Sequence, residues 1–278
     1  MRVLMFGWEF PPAISGGLGV ACEGLVRGLL QAGAQVVLVL PRHPYRKPSG
    51  RLRILESLGA AEAPRAAPRP RRPPLKVRRV ATSLTPYPGA HAGMAPARAA
   101  AAVRAGSSEP PSHYGPNLAT DVLRYAERAG VIARQERFDV IHAHDWMTFL
   151  AGLQARRVSG KPLVVHVHAT EYDRAGSGGD SFVRDIERAG LEGADRVIAV
   201  SRYTADLLVR HYAVPRRRIR VVHNAIDPSR KKRERESRDE PLVLFAGRLT
   251  RQKGPDYFLE AAALVAREIP GARFAVAG

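Results

Sequence analysis

Short apolar runs alternate with amphipathic stretches along nearly the whole chain, and that alternation restricts it to an α/β fold. The runs are Arg2–Phe6, Gln35–Leu40, Asp139–Ala143, Leu163–His168, Arg196–Val200, Leu242–Ala246 and Arg273–Ala277. They are strand-length and almost continuously apolar, as expected of parallel strands covered on both faces. Helical spacing follows at Gly19–Ala32, Asn117–Arg134, Trp146–Val158, Phe182–Ala189, Tyr203–His211 and Asp256–Ile269. In the first of these, Ala21, Leu25, Leu29 and Leu30 form the apolar stripe, with Gly33 placed to cap it. Arg2–Leu40 therefore reads as a βαβ unit.

The alternation lapses twice. Between Arg42 and Pro116, Pro64–Pro74 is rich in Pro, Arg and Ala, and Ala95–Pro111 is low in complexity. Both read as mobile insertions, with one strand expected between them near Lys76–Thr82. Pro228–Glu240 is almost entirely charged and reads as a linker, after which a second α/β domain begins. The single cysteine, Cys22, excludes an internal disulfide framework and fits a reducing compartment, so a cytoplasmic location is expected. No apolar run reaches the length of a membrane span.

The formal net charge of +18 invites a nucleic-acid reading. The cations are mostly Arg, interspersed with Ala, Pro and Gly, and they concentrate in the two loop-like segments. No RNP motif, zinc-ligand spacing or aromatic–basic strand accompanies them, so nucleic acid is not expected as the ligand.

Three constellations carry chemistry. Gly247-Arg248-Leu249-Thr250-Arg251-Gln252-Lys253-Gly254 joins a strand to a helix. It sets Arg248, Lys253 and a helix N-terminus at the carboxyl end of a strand, where a diphosphate would bind. Between the first strand and helix, Trp8-Glu9-Phe10-Pro11-Pro12 precedes Gly16-Gly17, a pair that lets backbone approach a ligand. The G-x-G-x-x-G fingerprint is absent, which argues against a dinucleotide dehydrogenase. His142-Ala143-His144-Asp145-Trp146 and His166-Val167-His168 end two further strands, placing Asp145 and His168 at carboxyl edges. The His-x-His pair lacks an evident third ligand at close spacing, so no metal is expected.

Together, WEFPP with GGLG, HAHDW, VHVHATEYD, AVSRYTADLL, VVHNAID and GRLTRQKG resemble, in order, the motifs of glycogen/starch synthase-like glycosyltransferases. These are retaining enzymes of the two-Rossmann-domain GT-B architecture. The resemblance spans all but the insertions, about Pro48 to Pro111. It implies a Rossmann-like doubly wound N-terminal domain over 1–227 with a flexible insertion at about 48–111. A charged linker at 228–240 and the first elements of a second Rossmann-like domain at 241–278 follow. By resemblance, Arg248 and Lys253 hold the donor's diphosphate, and His168 contacts the donor sugar. Asp145 lines the acceptor and sugar region, with Glu9 and Tyr172 also on the acceptor side. Gly16 and Gly17 close over the donor, and Asn224 leads to the hinge. Ser201 reads as a helix cap. The expected activity is transfer of a glycosyl group, glucosyl by family expectation, from ADP- or UDP-glucose to a carbohydrate acceptor such as an α-glucan. Configuration would be retained, without a metal or other cofactor.

Two departures qualify the match. Ile14 stands where glycogen synthases usually carry a Lys before the glycine pair. The family's paired glutamates fall beyond Gly278, so the second domain is expected to be incomplete here. The alternatives are a nucleotide-sugar epimerase on the same scaffold, a non-catalytic sugar- or glucan-binding relative, and, third, a basic nucleic-acid binder.

Overall fold

A computed structural model describes residues 1–11, 17–41, 52–55, 75–79, 118–225, 241–247 and 249–277. Two compact units are present: Met1–His168 with Asp185–Ile226, and Ala169–Arg184 with Asp227–Gly278.

In the first unit, the described residues form an eight-stranded, all-parallel sheet. Its strands are β1 (Arg2–Phe6), β2 (Gln35–Leu40), β3 (Leu52–Leu55), β4 (Leu75–Arg79), β5 (Val140–His144), β6 (Leu163–Val167), β7 (Arg196–Ala199) and β8 (Ile219–Val221). The spatial order is β3-β4-β2-β1-β5-β6-β7-β8. The chain thus runs outward from β1 in one direction, returns, and continues from β5 in the other. The β1/β5 junction is the point of reversal, where side chains at neighbouring strand ends leave a crevice. Helices α1 (Gly17–Gln31), α2 (Leu118–Gln135), α3 (Trp146–Ser159), α5 (Ser181–Gly193) from Asp185 onward, and α6 (Arg202–Tyr212) complete this unit. The short α4 (Glu171–Ala175) belongs to the other.

The sheet's two faces are covered differently. Val3, Met5, Val36, Leu38 and Leu40 pack with Cys22 and Val26 of α1, and Val140 joins them. On the opposite face, α3 packs on β5 and β6 so closely that a Cβ on Gly152 would lie 2.8 Å from Leu163 Cδ1 and 3.0 Å from Ala143 Cβ. Leu4, Phe6, Ile141 and Leu163 are fully buried, as are Trp146 and Phe149 of α3. This explains why the strands read as continuous apolar runs.

Helix α5 meets α3 at Gly190. A Cβ there would lie 2.4 Å from Phe149 Cδ2 and 2.6 Å from Phe149 Cβ, an atom fixed to its own backbone. Gly190→Ala must therefore separate the helices, and about 1–3 kcal/mol of stability should be lost. Urea denaturation measures this; an unchanged midpoint would contradict the packing.

Tyr125 of α2 secures the end of β1. Its buried hydroxyl donates, shared, to Val39 O at 2.8 Å and Gly7 O at 3.1 Å. Phe6 and Trp8 meet its ring edge-on. Tyr125→Phe removes this donor, although Val39 O keeps the Gly7 N–H at 3.0 Å, and should cost about 0.5–1.5 kcal/mol in the same assay.

The second unit contains α4, a parallel pair β9 (Leu242–Ala246) and β10 (Arg273–Ala277), and the connecting helix α7 (Pro255–Glu268). Phe258 of α7 lies against Phe245 and Phe274 of the two strands, with ring centroids 5.6 and 6.3 Å away.

The strands match their expected positions closely. The expected strand near Lys76–Thr82 is β4, one residue earlier at its start, whereas β3 went unread because it lies in a segment of degraded pattern. Helix α5 runs four residues past its expected end at Ala189, to Gly193. The remainder of the expected insertion, and the charged linker, lie outside the described residues.

Candidate functional site

Strands β5 and β6 run side by side with His144 opposite His166 and His142 opposite Val164. Because side chains alternate, the two His-x-His segments project from the same face of the sheet as α1. Four imidazoles form one row. His142 and His144 centroids are 4.4 Å apart, His144 and His166 5.0 Å, and His166 and His168 4.4 Å. His142, His144 and His166 are buried, and His168 opens the row at its half-buried end. The sheet register therefore supplies the third imidazole that linear spacing did not reveal.

Burial keeps these rings neutral. It pushes His142 and His166 down to about 3 and His168 to about 4, with neighbouring rings adding to the effect at His142 and His166. His144 is also held well below the ordinary value, by burial and then by the other three rings. At neutral pH, His144 Nδ1 and His168 Nε2, 3.1 Å apart, share a single hydrogen.

Asp145 locks the ends of β5 and β6 together. Its backbone N–H donates to His166 O at 2.9 Å, and its Oδ1 accepts from the His168 N–H at 2.7 Å. It occupies the N-cap position of α3, yet its side chain makes no capping bond. Thr148 Oγ1 instead donates to His144 O at 2.7 Å and bonds Asp145 O at 3.2 Å. The backbone of Asp145 is strained, with φ 56° and ψ 170°.

Glu9 lies just beyond β1 and is buried between buried Trp8 and Phe10. Burial first, then the charges of Asp145 and Glu9, raise the Cys22 thiol on α1 well above its ordinary value. The Cys22 sulfur lies within 4.8 Å of a ring nitrogen of His144 and of His168, so α1 brings it to the edge that carries Asp145. Cys22 had carried only a compartment argument in the sequence, since nothing in its linear neighbourhood signals this approach. Gly17 is the first residue of α1; Gly16 and Ile14 lie outside the described residues.

The second unit holds the remaining candidates. Thr170 and Asp173 form a reciprocal capping box at the start of α4. The next element of that unit to matter is the turn Arg251–Lys253, against which α4 packs. Tyr172 on α4 and Lys253 in the turn are therefore carried on neighbouring elements. The Arg184 guanidinium lies 5.4 Å from the Tyr172 ring centroid, a cation–π contact that sequence spacing did not disclose. Lys253 is exposed between β9 and α7, and Gly254 enters the helix at φ 67°. Arg248 lies outside the described residues. Ser201 caps α6 by accepting from Thr204 N at 2.9 Å, as its position predicts. Asn224 follows β8 in an irregular segment.

A doubly wound parallel sheet with carboxylates and imidazoles at its point of reversal, together with a second βαβ unit, defines a GT-B-type glycosyltransferase fold. Residues 15–230 match the model of Glycosyltransferase Family 4, and residues 227–278 that of Glycosyl transferases group 1. The chain belongs to glycosyltransferase family 4.

Among its relatives, an uncharacterized glycosyltransferase of Methanocaldococcus jannaschii is 26% identical over 94% of this chain and 59% of its own length. The glycogen synthase of Mycobacterium tuberculosis is 28% identical over 100% of this chain and 61% of its own. The chain therefore spans about three-fifths of these relatives. Sucrose-phosphate synthase from Thermosynechococcus elongatus shares the fold with a TM-score of 0.63 at 18% identity, covering 99% of this chain and 61% of that structure. Among the described residues, no helix is long and apolar enough to cross a membrane.

Proposed function

We propose that this glycosyltransferase transfers a glucosyl group from ADP- or UDP-glucose to a carbohydrate acceptor of the α-glucan type, with retention of configuration. The observation that carries the reading is the Asp145–His168 bond at the carboxyl edge of the sheet. It fixes the Asp145 carboxylate and the backbone that presents His168, both proposed to face sugar, at the place where open α/β sheets bind ligands. Relatives named glycogen synthase and alpha-maltose-1-phosphate synthase support a glucosyl donor.

In this reading, Arg248 and Lys253 stabilise the departing diphosphate as the anomeric carbon–oxygen bond breaks and positive charge grows on the sugar. The N-terminus of α7 adds partial positive charge there. Gly16 and Gly17 allow backbone to approach the donor. His168, neutral at pH 7, contributes a hydrogen bond to the sugar rather than a full charge. Glu9, Asp145 and Tyr172 serve the acceptor side. We place the domain boundaries at 1–227, 228–240 and 241–278, and the protein in the cytoplasm.

The test is to incubate the full-length protein with radiolabelled ADP- or UDP-glucose and a panel of α-glucans, and to determine the anomeric configuration of the product by NMR. Transfer with retention is expected, and it should persist in a chelator because fixed cations meet the leaving group. Nucleotide release that is indifferent to every acceptor would replace the reading with epimerisation or hydrolysis.

A further inference from the structure

Three of the four imidazoles, His142, His144 and His166, have no part in the proposed glycosyl transfer. We propose that His142, His144 and His166 form a binding site for a zinc-class transition-metal cation, coordinated by one ring nitrogen from each. This inference is independent of the proposed donor and acceptor.

The geometry comes from the sheet. Two His-x-His segments on adjacent parallel strands, with His144 opposite His166, gather three rings on one face. One nitrogen from each of the three lies within 4.8 Å of the others. A tetrahedral zinc site with Zn–N bonds of about 2.0–2.1 Å needs nitrogens roughly 3.3 Å apart. The rings are now stacked, with His142 and His166 5.5 Å apart and 9° from parallel. Closing the nitrogens from within 4.8 Å to that spacing requires the rings to rotate about χ2.

The chemistry agrees with the geometry. His142 Nε2, His144 Nε2 and both nitrogens of His166 are buried without a hydrogen-bond partner among the described residues. Leaving such groups unpaired is costly, and a metal bond would satisfy one on each ring. An all-imidazole donor set favours Zn(II), Co(II), Ni(II) or Cu(II) over Mg(II) and Ca(II).

An overlapping trio, Cys22, His144 and His168, also lies within 4.8 Å. Within that trio His168 Nε2 already bonds His144 Nδ1 at 3.1 Å, whereas each ring of the three-imidazole set keeps a buried nitrogen without a partner among the described residues. The three-imidazole set is therefore preferred. With the metal on His144 Nε2, His144 Nδ1 must carry the hydrogen and donate to His168 Nε2, 3.1 Å away. The metal would thereby fix the tautomers of His144 and His168.

The experiment titrates Co(II) into chelator-treated full-length protein that carries no affinity histidines. Expected are one equivalent bound, visible ligand-field bands of a four- or five-coordinate ion, and no near-ultraviolet thiolate band. Zn(II) should displace the cobalt and, at about a hundredfold excess over its Kd, raise Tm by several degrees. Cys22→Ala should retain the spectrum, and His166→Gln should lose stoichiometric binding. A spectrum unchanged from aqueous Co(II), with no Tm shift by Zn(II), would overturn the proposal. So would a thiolate band that vanishes in Cys22→Ala, because it assigns the ion to the other trio. The wild-type and Cys22→Ala measurements decide the matter even if His166→Gln does not fold.

Discussion

Lys253→Ala should lower the proposed glycosyl transfer about a hundredfold, roughly 3 kcal/mol of transition-state stabilisation, while leaving thermal stability nearly unchanged. The turn that carries this residue is held by backbone bonds, which alanine preserves. Lys253 N donates to Thr250 O at 2.9 Å and Gly254 N to the same oxygen at 3.2 Å. The Lys253 side chain is exposed, so its removal opens no cavity. What disappears is a fixed cation beside the N-terminus of α7. If that cation meets negative charge only as the donor bond breaks, kcat and kcat/KM fall together. Arg248→Ala should lose a similar factor. The double variant should lose less than the product of the two, because both cations would act on one diphosphate. Steady-state kinetics on the full-length variants provides the measurement, and near-normal turnover of Lys253→Ala would refute the assignment.

Much of the scaffold was legible because parallel strands covered on both faces leave a strong linear trace. Arg2–Phe6, Gln35–Leu40, Leu242–Ala246 and Arg273–Ala277 coincide with β1, β2, β9 and β10. Strand β3 and the five-residue helix α4 left no comparable trace. The first is short and surrounded by composition that hides it, and the second is organised by the Thr170–Asp173 capping box rather than by apolar spacing. The side chains at the carboxyl edge were legible singly, but their relationships were not. The bond between Asp145 and the His168 N–H depends on how β6 pairs with β5, and linear spacing does not encode register. The approach of Cys22 to His144 and His168 depends on how α1 settles on the sheet. Likewise, Gly190 lies one residue past the expected end of its helix, and nothing in the linear sequence shows that Phe149 stands where its Cβ would be.

Asp145→Gly should be more stable than Asp145→Ala by about 0.5–2 kcal/mol, the relief of about 1–3 kcal/mol of backbone strain less the entropic cost of glycine, although neither side chain can replace the carboxylate. The observed φ of 56° with ψ of 170° lies in a region that glycine enters readily and alanine does not. Both substitutions remove the oxygen that accepts from the His168 N–H at 2.7 Å, so that loss cancels when the two are compared. Alanine keeps the backbone strain and glycine relieves it. Strain relief should outweigh the extra conformational entropy, about 0.5–1 kcal/mol, that glycine brings to the unfolded chain. Asp145→Asn retains an acceptor without the charge and tests the third contribution. Urea denaturation of the three variants gives the stability order, and alanine equal to or above glycine would refute the strain argument. Transfer activity should nevertheless fall in all three if the proposed role requires the carboxylate. A stable but inactive Asp145→Gly would then separate the two demands on this position. The strained backbone turns the carboxylate away from the N–H groups of its own helix and toward the neighbouring strand. There it fixes the edge that presents His168, and the stability given up at one residue is exchanged for the position of another.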